Sequence, residues 1–161
     1  MLSYNKDKQY MIEQDAKSID AMVNQIVEDS TKELDEYIEN VKRELDVAEL
    51  SISEMNLILM KLCSYYFYLA KQQEMVGVRQ DIATIYEKEK YNLHFMGAVG
   101  TVVSKTSQAE EKTKEERVIS LVWEKSYKIL KNKYTALGAY IDALKKVITS
   151  KIKEMELSGR M

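Results

Sequence analysis

Proline is absent from the 161 residues, and glycine occurs only at positions 77, 97, 100, 138 and 159. These residues punctuate a chain into short elements and turns, so their scarcity leaves long helices as the natural reading. One cysteine, Cys63, excludes an internal disulfide. Inside the apolar stretch LILMKLC it reads as a small buried hydrophobe, which points to a reducing, cytoplasmic compartment. One histidine, His94, excludes a two-histidine carboxylate metal site within a single chain. No apolar run reaches the ~20 residues that a membrane span needs, because NLILMKLCSYYFYLA is broken by Lys61. The start, MLSYNKDKQY, lacks the apolar core of a signal peptide, so no membrane association is expected.

What is abundant is charge and helical periodicity. Hydrophobic residues make up 45% of the chain and charged residues 31%, an ordinary balance for one folded domain. The net charge of −2 hides a gradient. Residues 1–60 hold 6 Lys/Arg against 14 Asp/Glu, and residues 124–161 hold 9 against 4. The acidic first third and basic last third either pair in an antiparallel arrangement or offer a basic surface to an anionic partner.

Apolar residues at Leu34, Ile38, Val41, Leu45, Ala48, Ile52, Met55, Leu59, Leu62, Tyr66 and Leu69 alternate steps of four and three, the signature of a heptad seam. The same alternation precedes it through Ile12, Ala16, Ile19, Val23 and Ile26, but the next step spans eight residues through Ser30. That irregularity predicts local unwinding or a helix break at residues 29–31. Ser30 with Glu33, and Ser51 with Glu54, both have capping-box spacing. The uninterrupted seam argues against a break at the second. The pattern continues through Val78, Ile82, Ile85 and Tyr86 to Leu93, then lapses over residues 96–116. Ser107 and Glu110 predict a helix start within that stretch. A second seam runs Ile119, Trp123, Tyr127, Leu130, Tyr134, Leu137, Ile141, Leu144, Ile148, Ile152, Met155.

These patterns predict an all-α fold: an acidic N-terminal helix over 1–33, a long central helix over 34–95, a polar linker over 96–116 and a basic C-terminal helix over 117–161. The last two helices would form a long antiparallel, coiled-coil-like hairpin. Two such helices leave too much apolar area open for a monomer, so a homo-oligomer is expected.

No catalytic constellation is visible. GAVGTVVSKT has the residue types of a phosphate-binding loop without its spacing, and no nucleophile pairs with a base in a recognisable motif. Neither enzymatic activity nor a cofactor or metal ion is expected. Two features suit binding. Tyr65, Tyr66, Phe67 and Tyr68, followed by Lys71 and Arg79, join π-faces to positive charge, as single-stranded nucleic acid requires. Four consecutive helical positions point in four directions, so core packing is the competing use. Along the last helix, Lys125, Lys128, Lys131, Lys145 and Lys146 could line a basic edge, with pairing to the acidic first third as the alternative.

The stretches YYFYLAK, VRQDIATIY, KTSQAEEKT and AYIDALKKVITSKIKEM, in this order over residues 60–157, resemble the UvsY-type recombination mediators of bacteriophages. The resemblance implies a ring-like homo-oligomer in a bacterial host cell that binds single-stranded DNA and helps load a recombinase onto strands covered by single-strand-binding protein. The family's Lys-x-Arg pair implies DNA contact for Arg79, while its lysine position is Gly77 here. Joined to the basic edge and the aromatic run, the expected DNA-contacting set is Arg79, Lys125, Lys128, Lys131, Lys145 and Lys146, with Tyr65 and Tyr68 for stacking. The competing reading is a phage-encoded helical interaction factor, an inhibitor or assembly adaptor, with no nucleic-acid role.

Overall fold

The computed structural model describes residues 2–47 and 50–159, with side chains from residue 14 to 44 and from 50 onward. It is all-α. Four helices follow in order: α1 (Leu2–Val47), α2 (Ile52–Gly97), α3 (Val102–Lys112) and α4 (Lys114–Ser158), with no strand among the described residues.

The helix boundaries correct three expectations. α1 runs unbroken through Ser30, because the buried positions shift from the Ile26 register to Val23, Val27, Thr31 and Leu34. The eleven residues from Val23 to Leu34 make three helical turns, a spacing that an undistorted helix accommodates without unwinding. The chain reverses instead between α1 and α2, where the capping box that the seam argued against is the one used. Ser51 N–H donates to Glu54 Oε2 at 2.8 Å, the Ser51 hydroxyl donates to the same oxygen at 2.7 Å, and Glu54 N–H donates to Ser51 Oγ at 3.3 Å. The bonds from Ser51 hold the Glu54 carboxyl below its usual range. The expected seam positions Leu45 and Ala48 lie outside the described side chains. The 96–116 stretch is largely helical too. Gly100 at φ +120° makes the turn after α2, and Thr101, not Ser107, caps α3 by accepting from Ser104 N–H at 3.4 Å. Ser51→Ala removes the α2 cap and is expected to cost about 1 kcal/mol, read as a lower urea midpoint at unchanged slope.

The chain divides into two compact units. Unit 2, Asp29–Gln73 with Leu130–Met161, contains a conventional core of large aliphatic residues: Leu34, Val41, Met55, Ile58, Leu62, Leu69, Leu130, Leu137, Ile141, Leu144 and Ile148. Both predicted seams meet here. Tyr66 stacks on Tyr134 with centroids 4.2 Å apart, and Gly138 makes room, since a Cβ there would stand 3.3 Å from the Tyr66 ring. Buried Thr31 donates to Asp35 at 2.9 Å, and Lys133 donates to both. Cys63 is free and half-buried rather than enclosed.

Unit 1, Met1–Glu28 with Glu74–Ile129, is built differently. Among the described residues its fully buried side chains are small: Val23, Val27, Val76, Ala98, Ala109, Thr113, Ser120, Val122 and Ser126. The hydroxyls are satisfied locally, Ser126 donating to Val122 O at 2.8 Å and Thr113 to Ala109 O at 2.7 Å, as buried polar groups must be. The expected seam positions Val78, Ile82, Ile85, Tyr86, Leu93 and Ile119 are all exposed.

Within each unit α1 runs parallel to α4, and α2 runs against both. In unit 1, Asp15 and Asp20 meet Lys114 and Lys125 at 3.8 and 4.0 Å, while Thr84 and Glu87 meet Ser120 and Arg117 at 3.3 and 3.7 Å. In unit 2, Asp35 meets Lys133 and Leu50 O accepts from Lys151 at 3.0 Å. The start of α2 at Ile52 shares a groove with Lys151 and Met155 near the end of α4. The acidic and basic thirds therefore do pair, but in parallel rather than antiparallel order, because both helices oppose α2. The two unit 1 acid–lysine pairs are largely exposed, so each contributes about 0–1 kcal/mol and sets direction more than stability.

Candidate nucleic-acid interface

The four consecutive aromatics on α2 separate into two roles, all within unit 2. Tyr65 turns toward α1, its ring 5.5 Å from Tyr37, and Tyr66 turns toward α4. Lys61 lies 4.3 Å over the Tyr37 ring. Burial, then the charge of Glu44 and the neighbouring phenols of Tyr65 and Tyr140, push the Tyr37 hydroxyl above its ordinary pKa of 10.0. This cluster packs Tyr65, half-buried, against α1.

Phe67 and Tyr68 are 76% and 49% exposed and stand about 100° apart on the helix, and the Phe67 ring lies edge-to-face with Tyr66 at 6.5 Å. Lys71 follows at i+4 from Phe67 and i+3 from Tyr68, the two spacings that make helical side chains neighbours. It is exposed, and among the described residues no carboxylate pairs with it. An exposed ring pair with a cation one turn away is an arrangement on which bases stack and a phosphate is neutralised. Sequence reasoning included Phe67 and Lys71 in the run but placed the stacking on Tyr65 and Tyr68. The 100° step per residue on a helix spreads the four rings around it, but does not say which of them face the core.

The α4 lysines divide similarly. In unit 2, Lys131 and Lys146 are exposed with no acidic partner among the described residues, whereas Lys145 lies 3.4 Å from Asp142 one turn earlier. In unit 1, Lys128 is exposed with no acidic partner among the described residues, and Lys125 faces Asp20. Arg79, also in unit 1, rests its guanidinium 5.2 Å from the Trp123 ring and remains exposed. A guanidinium over an indole is attracted by the ring's negative face, and an exposed one keeps N–H groups open to solvent. The predicted set falls into a unit 1 group of Arg79, Lys125 and Lys128, and a unit 2 group of Tyr65, Tyr68, Lys131, Lys145 and Lys146.

Among the described residues no group of three or more His, Cys, Asp or Glu side chains is placed to hold a metal ion. No described helix is long and apolar enough to cross a membrane. The chain matches no protein-family model, no curated protein and no solved structure in the three comparisons with known proteins.

Proposed function

We propose that the chain is a non-enzymatic, single-stranded-DNA-binding accessory protein of recombination, acting as a homo-oligomer that helps load a recombinase onto strands covered by single-strand-binding protein. The observation that carries the DNA-binding step is the exposed Phe67–Tyr68 pair with unpaired Lys71 on the same helix face. Lys131 and Lys146 in unit 2, and Arg79 and Lys128 in unit 1, supply further uncommitted positive charge. The mediator role rests on the resemblance of residues 60–157 to the UvsY-type family.

Binding would proceed by phosphate neutralisation with counterion release, and by stacking of bases on Phe67 and Tyr68. Base–aromatic stacking contributes about 1–3 kcal/mol per base. Phe67→Ala with Tyr68→Ala is therefore expected to weaken affinity for a labelled oligonucleotide at least tenfold, with thermal stability unchanged because both rings are exposed. Lys131→Ala with Lys146→Ala is expected to flatten the dependence of log affinity on log salt, by about 0.7 for each phosphate no longer neutralised. Fluorescence anisotropy across a salt series reads both. An unaltered salt slope together with an unaltered affinity of the aromatic variant would refute this surface.

A second reading, a helical interaction factor without a nucleic-acid role, is favoured by the apolar residues that α2 exposes in unit 1. The two readings separate on one result: the second predicts no oligonucleotide binding at low salt by a folded protein.

A further inference from the structure

The turn that joins α2 to α3 in unit 1 gathers apolar side chains in water. Met96, Val99, Val102 and Val103 are 81%, 85%, 71% and 80% exposed, and Leu93, one helical turn before Met96, is 63% exposed. Of the five most exposed large apolar side chains described, four lie within residues 96–103 and the fifth is Phe67. Such exposure on the last turn of α2, on the connection and on the first turn of α3 makes a projection rather than a groove. No acidic residue occurs from Lys90 to Ala109, where Lys90, His94 and Lys105 are the basic residues. The connection also satisfies its own polar groups. Gln108 Nε2 donates to Val99 O at 3.2 Å, Lys105 N–H to Thr101 O at 2.9 Å and Ser104 N–H to the Thr101 hydroxyl at 3.4 Å. A segment that leaves water for lipid must do this, because hydrocarbon offers neither donors nor acceptors.

We infer that this turn inserts into the surface of a membrane that carries anionic lipids. Exposed aliphatic side chains enter the boundary between headgroups and acyl chains, while lysines beside them attract the headgroup charge. A groove on a partner protein would accept a turn with open backbone groups and with flanking charges of either sign. A turn whose polar groups are satisfied internally, with only basic residues around it, suits lipid instead. Insertion of this kind needs neither a spanning helix nor a leader sequence, the two features on which the expectation of no membrane association rests. The turn shares no residue with the proposed DNA-binding surface, so the inference is independent of that reading.

The test sediments the full chain with vesicles of phosphatidylcholine alone and of phosphatidylcholine mixed with phosphatidylserine. Binding is expected to the mixed vesicles and to be several-fold weaker without the anionic lipid. Val99→Asp with Val103→Asp is expected to lower partitioning at least about tenfold, with an unchanged helical circular dichroism spectrum because both positions are exposed. Lys105→Ala is expected to lower it about fivefold, on the mixed vesicles only. Insertion has its own readout: Val103→Trp should shift its emission to the blue when the mixed vesicles are added, a change that the unaltered protein, with Trp123 alone, does not show. No sedimentation with the mixed vesicles, equal partitioning of the folded double-aspartate variant, or no emission shift from Val103→Trp would overturn the inference. If the unaltered protein ignores the vesicles and the double-aspartate variant instead loses assembly mass in light scattering, the turn belongs to a contact between copies and the inference fails.

Discussion

Leu137→Asp is expected to destabilise the core of unit 2 severely. Leu137 is 3% exposed and lies between Leu130 and Leu144 on the buried line of α4. An aspartate there must either carry a desolvated charge without a partner or shift its pKa enough to stay neutral, and it also forfeits the leucine's packing. The combined penalty is at least about 4 kcal/mol, against a total stability of roughly 5–15 kcal/mol for an ordinary domain. A large loss of helical signal or a drop in melting temperature of well over ten degrees is the expected reading. Lys146→Asp, nine residues further along the same helix and exposed, should leave the melt nearly unchanged. Equal effects from the two substitutions would show that Leu137 is not in the core.

Leu62→Ala and Leu57→Ala provide the second large contrast, since both leucines lie on α2 in unit 2. Leu62 is 0% exposed and Leu57 is 65% exposed. Truncating the first leaves a cavity in an aliphatic core, with an expected loss of about 2–5 kcal/mol. Truncating the second should stay within about 0.5 kcal/mol for the single chain. Urea unfolding of both variants measures the difference directly. A loss at Leu57 comparable to that at Leu62 would mean that the outward face of α2 is covered within the chain itself.

The heptad seams are legible because their large apolar residues do enclose a core in unit 2. Leu34, Val41, Met55, Leu62 and Leu69 are buried as the spacing requires, and so are Leu130, Leu137, Ile141, Leu144 and Ile148. The place where the first long helix ends is not legible from the same spacing. A short reversal between α1 and α2 returns the chain to the same core, so the apolar period passes through it unbroken, and only the Ser51–Glu54 cap marks the stop. At Ser30 the reverse holds: the period falters, yet the helix continues because Val27 and Thr31 take over the buried line. Periodicity reports which residues share a face and is silent on whether the backbone between them is one helix.

The same reasoning explains what the sequence conceals in unit 1. Val78, Ile82 and Ile85 have the spacing of a seam, and spacing does not distinguish a stripe facing the chain's own core from one facing outward. Only the companion face, with Gln80, Thr84 and Glu87 turned inward, resolves it. Charge is legible in amount and not in arrangement. The acidic and basic thirds meet at Asp20–Lys125 and Asp35–Lys133, but their parallel order follows from the reversal between α1 and α2. Lys128, Lys131 and Lys146 are the members of the predicted basic edge that have no acidic partner among the described residues.

The central claim is that this chain binds single-stranded DNA through exposed rings and unpaired lysines, and the most direct measurement titrates the unaltered protein into labelled single-stranded and duplex oligonucleotides of equal length. At low salt the account predicts tighter binding to the single strand, because duplex bases are already stacked on one another and cannot reach Phe67 and Tyr68. Binding should weaken steeply toward physiological salt as lysine–phosphate contacts lose their counterion-release advantage. No binding to the single strand at low salt by folded protein, or equal binding to both forms, would contradict it.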